Sequence, residues 1–211
     1  DNQFKVETGM ATYNNNVPIV ITADRDGVNG GLSLFIDGEL IGTNLAAAGA
    51  RTHGLETRIG EHPGGDGNWQ GDVAEVLLYN SVLTQTERER VESFLAIKYG
   101  LTLDHDYLNS SNARVYDVGL GYDSTIIGIA REDATGANYV QEQSGDTTLS
   151  DISIYFGTGY AAGFPVTAYD NTPGNAIGVG EYLIIGHNGD PVTYSESYFG
   201  VPGRKSERIY K

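Results

Sequence analysis

Apolar positions along this chain fall mostly in short alternating runs, with one continuous exception at residues 73–79, VAEVLLY. That run is β-branched and aromatic at its ends, so it predicts a strand buried on both faces. Asn80 and Ser81 end it. Thr84 then stands three residues before Glu87, the spacing at which a hydroxyl and a carboxylate each bond the other's free backbone N–H at a helix start. Leu83, just outside, is placed to pin the entry of the chain. From 86 to 99, Val91, Phe94, Leu95 and the stem of Lys98 fall along one helical face, with Glu87, Arg88, Glu89, Arg90 and Glu92 mainly elsewhere. Gly100 closes the helix because it accepts the left-handed conformation. An amphipathic helix must lie on something, and the expected support is the sheet holding the strand before it.

Upstream, residues 10–13 and 17–23 read as strands, 24–31 as a turn rich in Asp, Asn and Gly, and 32–36 as a further strand. Asp37-Gly38 is the strongest short hairpin signal in the chain, with 40–42 returning antiparallel. Residues 44–57 lack periodicity, 58–60 form a short strand end, and 61–68 read as loop. Downstream of Leu103 the texture changes to short strands at 115–118, 125–130, 152–156 and 181–185 among Gly, Asn and Asp turns. No helix-period segment is evident there.

Several of these pieces occur in a telling order: Phe35-Ile36-Asp37-Gly38, Ile59-Gly60, Gly71-Asp72-Val73-Ala74-Glu75-Val76, and a helix ending Ala96-Ile97-Lys98-Tyr99-Gly100. The ordered set resembles laminin-G-like, pentraxin-like and concanavalin-like jelly-roll domains of bacterial surface proteins, over residues 10–103. The resemblance implies a lectin-type β-sandwich that binds sugars or proteins without catalysis. Residues 126–133, IIGIARED, with Gly136 and 141–144, resemble a domain of unknown function that often follows laminin-G-like domains in such proteins. The expected fold class is therefore all-β: a partial antiparallel jelly-roll sandwich with one amphipathic helix at 1–103, and a second all-β domain at 104–211 that is cut short. A jelly roll of this kind takes about 150 to 200 residues, and only about 90 are present here. Its first strands are therefore expected upstream of Asp1 in a longer precursor, or from another chain.

Composition narrows the partners. A net charge of −15 argues against nucleic acid and anionic membranes, and no apolar run has the length of a membrane helix. With no cysteine, stability must come from packing, with or without metal ions, because disulfides are not used. Glycine at 29 residues and tyrosine at 14 describe many turns and half-exposed strands.

Among candidate sites, the resemblance points first to the loop at 61–70, where pentraxin-like relatives carry calcium. Glu61, Asp66, Asn68 and Gln70 supply the oxygens that calcium requires, although His62-Pro63 stands where further ligands would be expected, and a solvated turn is the competing reading. Trp69 lies in the same loop as a candidate sugar-stacking residue. Tyr155, Tyr160, Tyr169, Tyr182, Tyr194 and Tyr198, with Phe156, Phe164 and Phe199, form either a further stacking surface or ordinary core and edge residues. Asp24, Asp26 and Asn29 alternate in a turn but lack the twelfth-position Glu of a calcium loop.

Catalytic motifs are missing. The Glu-x-Asp-x-x-Glu string of jelly-roll glycosidases does not occur, and Asp72 and Glu75, three apart, would face opposite sides of a strand, holding backbone or Arg partners. Asp104-His105-Asp106 reads as a solvated linker, with clamping a cation or orienting an imidazole as the alternatives; His53, His62, His105 and His187 show no metal spacing. The expected function is a non-catalytic extracellular recognition or adhesion module of a bacterial surface protein, binding glycan or protein. The alternatives are an accessory glycan-binding region of a carbohydrate-active enzyme, or a filament subunit completed by a neighbour's strand.

Overall fold

Local chemistry places the first sheet. A computed structural model of the chain describes residues 18–26, 31–45, 59–60, 69, 71–130, 180–190, 196–198 and 201–203. Strands β1 (Ile21–Asp26), β2 (Gly31–Ile36) and β3 (Glu39–Asn44) form an antiparallel meander. Asp37 (φ 50°) and Gly38 (φ 88°) occupy the two turn positions between β2 and β3, both left-handed, which is why Asp-Gly was the strong signal. The ladder of β1 runs through Asp24 to Asp26, deeper into the expected turn than the sequence pattern implied. Cross-strand pairing with Gly31, Leu32 and Ser33 holds those polar residues extended. The expected strand at 10–13 lies outside the described residues.

Helix α1 (Gln85–Tyr99) follows its sequence signals closely at both ends. The Glu87 N–H donates to Thr84 Oγ1 (3.3 Å), and Glu87 Oε2 accepts from the Thr84 N–H (2.8 Å) and hydroxyl (2.8 Å). Gly100, at φ 65°, returns its N–H to the Ala96 carbonyl. Replacing Thr84 with alanine removes one half of this reciprocal pair, so a loss of about 1 kcal/mol is expected in chemical denaturation.

The most deeply buried stripe of α1 is offset from the expected apolar one. Glu92, Ser93, Ala96 and Ile97 are fully buried, whereas Val91, Phe94, Leu95 and Lys98 are only partly so. Small side chains at Ser93, Ala96 and Gly100 let the helix approach its neighbours closely, and Ser93 satisfies its own hydroxyl. It donates to the Glu89 carbonyl (2.6 Å) and accepts the Leu108 N–H (2.9 Å). Phe94 and Leu95 of the expected apolar face still pack against the core, beside the more deeply buried stripe of Glu92, Ser93, Ala96 and Ile97.

Strands β4 (Tyr107–Leu108) and β5 (Arg114–Tyr116) pair antiparallel, and β6 (Ser124–Ala130) pairs antiparallel with β7 (Tyr182–His187). A 3-10 turn at Val118–Leu120 lies between β5 and β6, and β8 (Glu196–Tyr198) pairs with β9 (Val201–Gly203). The main core joins Val20 from the first sheet to Ala96 and Ile97 of α1, Leu101, Leu103, Tyr107, Ile126 and Ala130. Tyr107 is buried there with its hydroxyl satisfied, donating to the Leu101 carbonyl (2.7 Å) and accepting the Leu103 N–H (3.2 Å). The helix thus packs on β4 and β6, and its Arg88 and Glu92 reach Thr22 and Asp24 of β1 and Phe35 of β2 in the sheet before it.

Residues 73–79 depart most from expectation. They form no regular element and have no ladder partner among the described residues, and Val73, Val76, Leu77, Leu78 and Tyr79 are exposed, Leu78 by 90 %. Extended propensity belongs to the residues, but burial and ladder hydrogen bonds belong to neighbours. No described strand lies alongside to supply them.

The described residues are mostly strands in antiparallel sheets with one helix. No helix among them is long and apolar enough to cross a membrane.

Candidate functional site

The most concentrated polar chemistry among the described residues sits where the hairpin, α1 and residues 104–106 converge. Glu92 is 0 % exposed, and both its oxygens are engaged. Thr22 of β1 donates its hydroxyl to Glu92 Oε1 (2.7 Å), and His105 Nε2 lies 2.9 Å from Oε2. Arg88, one turn earlier on α1, brings Nε to 3.5 Å from Oε1 and Nη1 to 4.0 Å from Asp24 Oδ2. Its guanidinium lies flat over Phe35, 3.7 Å from the ring centroid. Arg88 Nε has charge partners but no hydrogen-bond geometry, so Coulomb attraction and the aromatic face hold it.

His105 is held from both ends. Its Nδ1 lies 2.8 Å from the Asp106 carbonyl and its Nε2 faces the Glu92 carboxylate. A carbonyl and a carboxylate can only accept, so the ring satisfies both by donating from both nitrogens, as imidazolium. Burial works against that charge, but the bond to Glu92 and then the bond to Asp106 outweigh it, and the His105 pKa is raised. Asp104-His105-Asp106 is therefore no solvated linker. The Asp104 N–H donates to the Asp37 carbonyl (2.9 Å), and the Asp106 carboxylate accepts from Arg114 (3.1 Å) and the Val118 N–H (3.1 Å).

Asp37 completes the junction. Its Oδ1 accepts the Val20 N–H (2.8 Å), while its own N–H donates to the Val20 carbonyl (2.9 Å). Burial pushes its pKa up, the Val20 bond opposes this, Glu92 adds to it, and the outcome is about 6. Because the folded value exceeds the ordinary 3.8, protonated Asp37 contributes stability that is complete below that value and lost as pH rises through about 6. Asp37→Asn keeps an acceptor for Val20 and tolerates the positive φ. It should raise stability near neutral pH by about 1–2 kcal/mol, after allowing for solvent screening of a part-buried carboxyl. Denaturation titrations at about pH 4 and about pH 7.5 check this, with the gain expected only at the higher pH.

The residues singled out from sequence fare differently. Trp69 is half exposed (52 %), its N–H donating to the Gly60 carbonyl (2.8 Å), so the backbone is pinned beneath an accessible indole. Glu61, Asp66, Asn68 and Gln70 lie outside the described residues, as do Tyr155, Tyr160, Tyr169, Tyr194, Phe156, Phe164, Phe199, His53 and His62. Tyr182 packs against the main core, in keeping with the core reading. Glu75 is bound to neither backbone nor Arg: it accepts from Lys98 (2.7 Å) and the Tyr99 hydroxyl (2.9 Å), and the Lys98 bond is the leading cause that lowers its pKa. His187 is buried in β7 with Nδ1 accepting the Gly189 N–H (3.0 Å). No group of three acidic or histidine side chains suited to a metal occurs among the described residues.

Glu92, Arg88 and Thr22 were not anticipated. The available signal was the stripe Glu92, Ser93, Ala96, Ile97 and Gly100, in which an acidic residue shares a face with small ones. Charge alone assigned Glu92 to solvent.

No curated protein and no solved structure matches the chain. Two family models do. Residues 3–87 match the concanavalin A-like lectin/glucanases superfamily, and residues 87–211 match a domain of unknown function, DUF8202. The boundary falls inside α1, so the helix that organises the core lies almost entirely in the second match. That match covers more than half of the 211 residues, and the chain accordingly belongs to the DUF8202 family, with a concanavalin A-like segment ahead of it.

Proposed function

We propose that this chain is a non-catalytic recognition module of an extracellular bacterial surface protein, binding glycan or protein through its concanavalin-like part. In this reading residues 1–103 are the C-terminal part of a jelly-roll sandwich, and 104–211 a second, all-β domain. A carbohydrate- or protein-binding module is what the first family match supports in general.

The observation that carries the reading is the exposed Trp69 indole on a pinned backbone. A flat, accessible ring beside a loop rich in Gly and Asp suits stacking against sugar C–H faces. On this reading Glu61, Asp66, Asn68 and Gln70 hold calcium beside it. The polar atoms of Glu92 and His105, by contrast, are engaged with Thr22, Asp106 and each other.

Glycan-array binding of the wild type and Trp69→Ala, with calcium and with chelator, tests the proposal. Binding lost about tenfold or more in Trp69→Ala, and a melting temperature raised by calcium and restored by chelator, are expected. Equal binding by the two proteins would overturn the role of Trp69, and an unchanged melting temperature the calcium site. Polysaccharide hydrolysis by the chain would overturn the non-catalytic reading altogether.

A further inference from the structure

We propose that the Asp37–Gly38 turn and the pocket formed by α1 and His105 are a proton-operated latch between the first hairpin, inside the match at 3–87, and α1 with residues 104–106, inside the match at 87–211. The latch is closed while the His105 ring carries both protons and released when it loses one. This goes beyond ligand binding and does not depend on which ligand is bound.

The geometry supplies both halves of the device. Gly38 is so close to the imidazole that a β-carbon there would lie 2.3 Å from His105 Cδ2 and 2.8 Å from Nε2, so the ring forms the floor on which the turn rests. Through Nε2 the same ring is bonded to Glu92, whose second oxygen is bonded to Thr22 of β1. The hairpin is therefore tied to α1 and residues 104–106 through Glu92 and His105, alongside the Arg88 contacts to Asp24 and Phe35 and the Asp104–Asp37 backbone bond. The backbone bond from Asp104 N–H to the Asp37 carbonyl reports directly on closure.

Loss of one ring proton leaves either the Asp106 carbonyl or the Glu92 carboxylate without its donor, in a site where Glu92 has no access to water. The charged groups around the ring are Glu92 and Glu89 from α1, Arg88 bridging Glu92 to Asp24 of β1, Asp37 from the turn, and Asp104 and Asp106 on its own segment. Carboxylates outnumber the guanidinium, so a neutral ring leaves the junction under like-charge repulsion. The raised His105 pKa has the same sign: the stability it supplies is complete below the ordinary value of 6.5 and is lost as pH rises through the higher folded value.

The experiment is NMR on the full chain from about pH 5.5 to about pH 9, following the His105 ring nitrogens and amide-exchange protection factors together. The Asp37→Asn background removes that residue's own titration. The ring is expected to hold both protons at pH values where a free histidine is neutral. As it titrates, protection at the Asp37 and Asp104 amides should fall about tenfold or more, while β6 and β7 amides keep theirs. In His105→Gln, which does not titrate, the decline should vanish. A ring that is neutral below its ordinary value would overturn the proposal, as would protection at those two amides that ignores the ring's titration. Should His105→Gln not fold, the wild-type comparison of ring and amides decides by itself.

Discussion

Glu92→Ala is expected to destabilise the chain by about 3–5 kcal/mol, the largest loss of any substitution considered on α1. The change leaves the Thr22 hydroxyl and His105 Nε2 without their acceptor, deprives part-buried Arg88 of its nearest counter-charge, and opens a cavity under the hairpin. Glu89→Ala serves as the control. Glu89 accepts from Gln85 (2.7 Å) in an exposed pair, and its loss should lie within about 0.5 kcal/mol. Chemical denaturation of both variants separates a buried anion from a surface one. A Glu92→Ala cost below about 1 kcal/mol would show that the cluster contributes little to stability. Replacing Arg88, Glu92 and His105 together with apolar residues of similar volume should recover much of the loss, since what destabilises is the unpaired remainder.

Gly38→Ala is the second large effect, at about 2–4 kcal/mol, from two separable causes. Alanine at φ 88° is strained on any background, and its methyl would overlap the His105 ring. Made in a His105→Ala background, the same substitution should cost only about 1 kcal/mol, because the ring is gone and the backbone strain alone remains. The cycle therefore measures the hairpin's contact with His105 apart from the turn's own conformation. Equal costs in the two backgrounds would mean that the turn does not rest on the ring.

Both predictions concern residues that the sequence treated unequally. Gly38 was legible, because a two-residue reversal between strands needs left-handed backbone and Asp-Gly supplies it. Thr84, Glu87 and Gly100 were legible for the same reason: caps and tight turns are contracts between residues two to four apart. Glu92 was not. Its burial depends on Thr22, 70 positions away, and on His105, 13 positions on. At His105 the sequence allows a cation clamp, an oriented imidazole or a solvated linker, and only the arrival of Glu92 and Gly38 at the ring decides among them.

The apolar run at 73–79 makes the opposite point. Its composition specifies extended chain, yet its exposure shows that a strand becomes core only when another backbone pairs with it. By itself the amino-acid sequence determined the capped ends of α1, the β2–β3 hairpin, strands β6 and β7 to within a few residues, and the order of motifs that the two family models match. The tertiary structure alone decided which face of α1 is buried, that an acidic residue stands at its centre, and that residues 104–106 fasten the hairpin. Local conformation follows from neighbours along the chain, whereas burial and pairing are properties of what the fold brings together.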